Sequence, residues 1–322
     1  MKQFVTGGAG FIGSNYVRYV LANTDDEVTV YDALTYAGNL STLRDVDDDP
    51  RFRFLKGNIC DPGVLEDAMQ GHDAVVHFAA ESHVDRSIAG PDDFVITNCF
   101  GTNVLMDTAR RLEISRVIHI GTDEVYGSVD QGSSQESDPL EPRSPYSASK
   151  AGADLIALSY HHTYGLPVIV TRCTNNFGPY QFPEKLIPLC TTNLMDGQPA
   201  PLYGDGLHQR DWLYVDDHCA GVHLVLERGQ EGEIYNIGAG NETPNRVVID
   251  KLLALFDVGD EMVSYVADRP GHDRRYSVDI TKVTQLGWRK RHSMDQALDE
   301  TVAWYRANQW WWRPLKQRAR LA

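Results

Sequence analysis

The sequence predicts an α/β fold, a doubly wound parallel sheet joined to a smaller mixed α/β lobe. Three observations predict it. Short apolar strands alternate with amphipathic helices from residue 2 to about residue 172. One strand, residues 74–80, is apolar nearly throughout, as a parallel strand covered on both faces must be. The first strand runs into spaced glycines that open a helix.

Taken in order, residues 2–5 form a strand, and Thr6 begins a turn with glycines at Gly7, Gly10 and Gly13. A helix follows, with Ile12, Tyr16, Val17, Val20 and Leu21 on one face. Residues 27–31 are the second strand, with Asp32 at its carboxyl end. Without Cβ atoms the glycines let the backbone approach a pyrophosphate, and the helix N-terminus offers N–H groups to it. Asp32 stands at the spacing of an acid that accepts hydrogen bonds from an adenosine ribose. Strand, glycine turn, helix and acid together predict a Rossmann-type dinucleotide site. A free carboxylate at Asp32 repels a 2′-phosphate, so NAD is expected rather than NADP.

Residues 51–55 are the next strand, with Asn58 and Ile59 beyond it. A long helix is expected over about residues 92–112, with Phe94, Val95, Phe100, Val104, Leu105 and Met106 spread over more than one face. Residues 116–121 and 167–171 are further strands, separated by a helix that runs to about His162. From Cys173 to Asp211 the chain reads as Pro-rich and loop-rich. Residues 233–237 read as a strand at the margin of the main sheet. The expected division is therefore 1–172 plus about 213–240 for the nucleotide domain, and about 173–212 and 241–322 for a second lobe. The acidic run 45–49 is expected to be a solvated turn, and Trp304, Trp310, Trp311 and Trp312 to anchor a C-terminal helix.

With 322 residues, 42% hydrophobic and 23% charged, the chain has the composition of a globular protein with ample core. A net charge of −15 argues against nucleic acid, whose phosphates demand a surplus of Lys and Arg. The five cysteines are scattered without a CxxC pair, which suggests reduced thiols and no metal site. No apolar run approaches a membrane span and the N-terminus enters a strand at once, so a cytoplasmic location is expected.

Two stretches carry chemistry. Asp123 and Glu124 follow the strand ending at Gly121, and Tyr146 stands four residues before Lys150 at a helix start. A strand-end acid pair alone reads as an acidic cap, and the Tyr–Lys spacing alone recurs by chance. Behind a dinucleotide loop they become an acid, a base and a phenol for one cavity. The i, i+4 spacing puts Tyr146 and Lys150 on one helix face, and an ammonium there is expected to lower the phenol's pKa.

Gly7-x-x-Gly10-x-x-Gly13 with Tyr146-x-x-x-Lys150 resembles the extended short-chain dehydrogenase/reductase superfamily. The stretches 79–87, 122–127, 175–179, 183–188, 204–212 and 268–276 narrow the resemblance to the dTDP-glucose 4,6-dehydratase family. The resemblance implies an NAD enzyme of deoxysugar biosynthesis in which Tyr146 deprotonates the C4 hydroxyl, Glu124 takes the C5 proton and Asp123 protonates the departing C6 hydroxyl. Thr122 would bond the C4 oxygen, and Lys150 would reach the nicotinamide ribose. Phe11, Ile12, Asp32, Ala33, Leu34, Thr35, Asn58, Ile59, Phe78, Ala79, Ala80, Ser82 and Thr97 would join Gly7, Gly10, Gly13, Tyr146 and Lys150 around NAD. For the dTDP-hexose, Ser82, Asn176, Lys185, Arg210 and Arg269 would meet sugar or diphosphate. Leu186, Pro201, Tyr203, Asn245 and His272 would line the nucleoside site. The resemblance also implies a homodimer through a four-helix bundle built from the helices at 92–112 and 146–162. A UDP-sugar 4,6-dehydratase or a nucleotide-sugar epimerase on the same frame is the alternative; an epimerase has no use for the acid pair. Two positions depart from the family pattern. Asn58 replaces a usual Asp, and Gly121 replaces a common Ser, which is expected to loosen the strand end.

Overall fold

The computed structural model describes residues 1–268 and 270–321, and side chains as far as 318. Its main sheet collects β1 (Lys2–Thr6), β2 (Glu27–Asp32), β3 (Phe52–Lys56), β4 (Ala74–His77), β5 (Arg116–Thr122) and β6 (Val168–Cys173). The second lobe supplies β7 (Asn175–Phe177), β8 (Ala200–Tyr203) and β9 (Gln209–Tyr214) before β10 (Ile234–Ile237) returns as the seventh main strand. Last come β11 (Glu242–Pro244) and β12 (Val263–Val266). The main order is β10-β6-β5-β4-β1-β2-β3, with every pairing parallel. The chain winds outward from β1 to β3, then restarts at β4 on the other side of β1. That reversal opens a crevice at the carboxyl ends of β1 and β4, where ligands of such sheets bind.

Helices α1 (Phe11–Asn23), α2 (Pro62–Met69), α3 (Val84–Ala89), α4 (Asp92–Phe94), α5 (Thr102–Arg111), α6 (Pro145–Tyr164) and α7 (Leu186–Met195) precede α8 (Val215–Arg228). They are followed by α9 (Asn245–Phe256), α10 (Thr281–Gln285), α11 (Met294–Ala307) and α12 (Gln309–Leu321). Two apolar layers cover the sheet. One packs Tyr16, Val17 and Val20 against Val222 and Val225; the other packs Leu65, Met69, Leu105 and Met106.

The helix expected at 92–112 is helical throughout, but a π-helical stretch, Val95–Gly101, joins α4 to α5. The strand expected at 74–80 stops at His77, and Phe78–Ala80 turn outward as cavity wall. The largest departure is in the stretch read as loop-rich, 173–211. It contains β7, α7, β8 and the first half of β9. Pro188 misled the reading. It is the third residue of α7, where its missing N–H would have had no helical partner. The buried face of α7, with Ile187, Cys190 and Leu194, packs on Val248, Ile249 and Leu252 of α9 to form a separate core. Trp311 and Trp312 are buried with Tyr305 and Leu315, anchoring α12, while Trp310 stays exposed.

Candidate active site

A cavity of about 700 Å³ runs from the glycine turn to the second lobe. At one end Gly7 has φ +69°, and a Cβ on it would lie 2.5 Å from the Ala79 nitrogen. A Cβ on Gly13 would lie 2.4 Å from the Gly7 carbonyl. No side chain caps the N-terminus of α1, so its backbone donors remain for a ligand. Asp32 accepts from the Ala9 and Leu34 amides at 3.0 and 2.7 Å. Burial pushes its pKa up while these amides pull it down.

The middle of the cavity is built by two local structures. β5 ends at Thr122, whose hydroxyl accepts from the Glu124 amide and starts a tight turn over Asp123–Tyr126. Ser144 and Ser147 form a reciprocal cap, with Pro145 at the first position, and so fix the start of α6 where Tyr146 projects. Asp123 is 3% exposed; Thr122 donates to its Oδ1 at 3.3 Å and its Oδ2 is buried without a partner. Burial first, then the neighbouring Glu124, raises its pKa well above the carboxylate range. Both causes favour the protonated form of Asp123 beside a second carboxyl group.

The Tyr146–Lys150 pair behaves differently from expectation. Burial, then Glu124, pushes the Tyr146 phenol well above its ordinary value, and Thr122 opposes this through a hydrogen bond. The Lys150 ammonium donates to the Ile120 carbonyl at 2.5 Å instead.

The cavity collects nearly all the residues expected around it: Gly7, Gly10, Phe11, Ile12, Gly13, Asp32, Ala33, Thr35, Asn58, Ile59, Phe78, Ala79, Ala80, Ser82 and Thr97, together with Thr122, Asp123, Glu124, Tyr146 and Lys150. Asn176, Lys185, Leu186, Pro201, Tyr203, Arg210, Asn245 and His272 complete it. Leu34 is not on its wall; the residue turns away at φ 56° and contributes only its amide to Asp32. Arg269 lies outside the described residues. The Asn58 Oδ1 accepts from the Cys60 amide at 2.9 Å, so the side chain is held in a local turn.

In the second lobe, Lys185 donates to the Ser82 carbonyl at 3.0 Å and Tyr203 to Asp85 at 3.4 Å, tying the lobe to the nucleotide half. Arg210 stacks on Tyr276 and donates to the carbonyls of Gln209 and Asp273. The buried oxygens of Asn175, Asn176, Gln181 and Asn245 have no partner among the described residues, and all four side chains line the cavity. Buried unpaired acceptors of this kind mark where a ligand's donors belong.

Two wall residues, Tyr36 and Glu184, had no site role assigned from sequence, and Glu81 was read only as part of the stretch 78–82 along NAD. Arg86 stacks on Tyr36 at 4.2 Å and lies 3.7 Å from Glu184. Burial, then Asp93, lifts the Glu81 carboxyl to about 7. Glu81 and Glu184 were visible inside the motif stretches, beside Ser82 and Lys185. Tyr36 carried no sequence signal, and Trp311 was read only as an anchor of the C-terminal helix; both reach the cavity through folding.

Fold and site define a dinucleotide-dependent enzyme whose Tyr–Lys pair and acid pair share one cavity. Residues 4–301 match the family model of GDP-mannose 4,6 dehydratase. The dTDP-glucose 4,6-dehydratase of Streptomyces niveus is 52% identical, over 98% of this chain and 96% of the relative. A crystal structure of the dTDP-glucose 4,6-dehydratase DesIV from Streptomyces venezuelae, with NAD bound, superposes with a TM-score of 0.96 at 56% identity, covering 98% of this chain and 100% of that one. The UDP-glucuronic acid 4-epimerase of Bacillus cereus also superposes, with a TM-score of 0.90 at 26% identity, over 95% and 99% of the two chains. The chain belongs to the nucleotide-sugar 4,6-dehydratase family and groups with its dTDP-glucose members.

Proposed function

We propose that this chain converts dTDP-glucose to dTDP-4-keto-6-deoxyglucose, a step of deoxysugar biosynthesis, with NAD as cofactor. The observation that carries the reading is Asp123, a buried protonated acid beside Glu124 in the same cavity as Tyr146. Elimination of water across C5–C6 needs an acid and a base in addition to Tyr146; epimerisation at C4 needs only the tyrosine and NAD.

NAD, held by the glycine turn, the α1 N-terminus and Asp32, supplies when bound a hydride acceptor at C4 and later a hydride donor at C6, so no net redox change results. The chain's own groups move the protons. Tyr146 takes the C4 hydroxyl proton with Thr122 bonded to the same oxygen. The C4 ketone acidifies C5–H, and Glu124 removes that proton. Asp123 gives its proton to the departing C6 hydroxyl, which leaves as water. Glu124 then returns a proton to C5. Burial and Glu124 raise the Tyr146 phenol, so it must give up its own proton before it acts as base, a loss that the positive charge of the oxidised cofactor would favour.

The orphaned oxygens of Asn176 and Asn245, with Ser82, Lys185 and Arg210, support a sugar-diphosphate path toward a nucleoside end at Leu186, Pro201, Tyr203 and His272. Arg269 completes the diphosphate site in this reading. The domain division follows the same path: 1–172 with about 213–240 holds NAD, and about 173–212 with 241–322 holds the nucleotide sugar. Two observations support a homodimer through a four-helix bundle. Val95, Ile96 and Phe100 are about half exposed on the π-helical stretch, and Leu155 is 59% exposed on α6, which packs beside it. No described helix is long and apolar enough to cross a membrane, and all five cysteines are free thiols, which supports a cytoplasmic enzyme.

The test is incubation with dTDP-glucose and, separately, UDP-glucose, followed by the alkaline absorbance of a 4-keto sugar. Product from dTDP-glucose is expected. Product from UDP-glucose alone would establish the UDP-sugar alternative, and none from either would overturn the reading. Light scattering at micromolar concentration is expected to give twice 36.1 kDa.

A further inference from the structure

Behind the cavity wall lies a buried group of charges that the chemistry above does not use. Asp154 stands on α6 one turn beyond Lys150 and is 0% exposed. Its Oδ2 accepts from the Arg172 Nε at 2.8 Å, and its Oδ1 lies 3.2 Å from the His119 Nε2. Arg172 also donates to the Tyr126 hydroxyl at 2.8 Å, and that hydroxyl donates to the Asn236 Oδ1 at 2.8 Å. Three adjacent parallel strands, β5, β6 and β10, thus hold one carboxylate against α6.

A buried ammonium is costly unless an anion faces it. Burial pulls the Lys150 pKa down, and Asp154 is the strongest influence raising it; the others are the thiols of Cys173 and Cys99. Burial pushes the Cys173 thiol up to about 12 and raises Cys99, so neither is an anion near neutral pH. His119 and His77, on β5 and β4, are held neutral by burial. Tyr126 is lifted to about 12, and Asp123 holds its proton. Asp154 is ionised, because His119 and Arg172 together outweigh its burial.

Gly121 belongs to the same arrangement. A Cβ there would lie 2.9 Å from the Asp154 Oδ1 and 2.9 Å from the Thr171 carbonyl. The glycine leaves free the space that the carboxylate fills.

We propose that Asp154 is a positioning residue for the reaction: pinned by Arg172, with His119 alongside, it holds Lys150 as an ammonium at the carboxyl end of β5. Tyr146, Lys150 and Asp154 follow at successive i, i+4 steps on one face of α6, so the carboxylate acts on the phenol only through the lysine. The inference rests on Lys150 being a working group of the dehydratase.

The test is the pH profile of kcat for Asp154→Asn. The alkaline limb is expected to move down by about one pH unit or more, with kcat at pH 8 falling about tenfold and KM changing little. An alkaline limb at the wild-type position would overturn the proposal. Because the single variant strands Arg172, Asp154→Asn with Arg172→Gln is measured too. That double variant removes the stranded guanidinium and leaves only Lys150 without its anion, so a role in holding Arg172 predicts a restored profile, whereas a lysine-directed role predicts the shifted limb. Lys150→Met keeps the Asp154–Arg172 pair intact and supplies a third arm. It is expected to remove the alkaline limb, and adding Asp154→Asn to it is expected to cost no further kcat; an additive loss or a persisting limb would refute the assignment. A wild-type chain without dehydratase activity would refute the functional reading, and this proposal with it.

Discussion

Gly121→Ala asks whether the crowding around Asp154 is real. The new Cβ would stand 2.9 Å from the Thr171 carbonyl, 2.9 Å from the Asp154 Oδ1 and 3.1 Å from its Oδ2. The carbonyl belongs to the β5–β6 ladder, where Gly121 pairs with Arg172 and Ile120 with Thr171, so it cannot retreat alone. The carboxylate is pinned by the Arg172 guanidinium at 2.8 Å. Overpacking of this kind costs about 1–3 kcal/mol. Against it stands the entropy that alanine removes from the unfolded chain, about 0.4–1 kcal/mol in favour of folding. Crowding wins, and the net loss is about 1–2 kcal/mol. For a chain this long that corresponds to a Tm lower by about 2–4 °C. Thermal unfolding followed by circular dichroism measures it, and kcat on the same sample should fall with it. A serine carries the same Cβ and meets the same obstacle. An alanine variant as stable as the wild type would refute the packing argument and with it the account of Gly121.

Glu124→Gln removes the C5 base but keeps the Tyr146 phenol in place, free of the charge that raises it. Absorbance at 340 nm should still report oxidation at C4, while formation of the 4-keto-6-deoxy product falls about 10²- to 10⁴-fold; normal dehydration would show that the base lies elsewhere. Asp32→Ala removes a charged acceptor of ribose hydroxyls, so NAD affinity measured by titration calorimetry should fall about 10- to 100-fold, with the preference over NADP narrowing; unchanged affinity would refute the ribose assignment. The Glu81 carboxyl has a folded-state value of about 7 against an ordinary 4.5. A raised folded value means that its contribution to stability is full below 4.5 and is lost as pH rises through 7. Glu81→Gln should therefore melt above the wild type at pH 8, with the gap closing at pH 4.5; a gap independent of pH would disprove the raised value.

The residues with strong local signals were legible in sequence. Gly7, Gly10 and Gly13 announce a turn that only glycine tolerates, and the apolar run of β4 announces a covered parallel strand. The acid pair and the Tyr–Lys pair were legible as chemistry because each is contiguous or one helical turn apart. The second lobe was less legible. Pro188 marks a loop in one-dimensional reading, but it occupies the first turn of α7, and what makes that helix stable is its burial against α9, 60 residues away in sequence.

The sequence by itself determined which protons this protein can move, because donor and acceptor types are properties of the residues Asp123, Glu124, Tyr146 and Lys150. Only the tertiary structure decided which of them are charged. Burial of Asp123 beside Glu124 makes one carboxyl an acid, burial of Tyr146 keeps its phenol protonated, and Asp154, brought to Lys150 by Arg172 and His119 from two other strands, supplies the lysine's anion. Ionisation depends on desolvation and on neighbours within a few ångströms, and folding sets both.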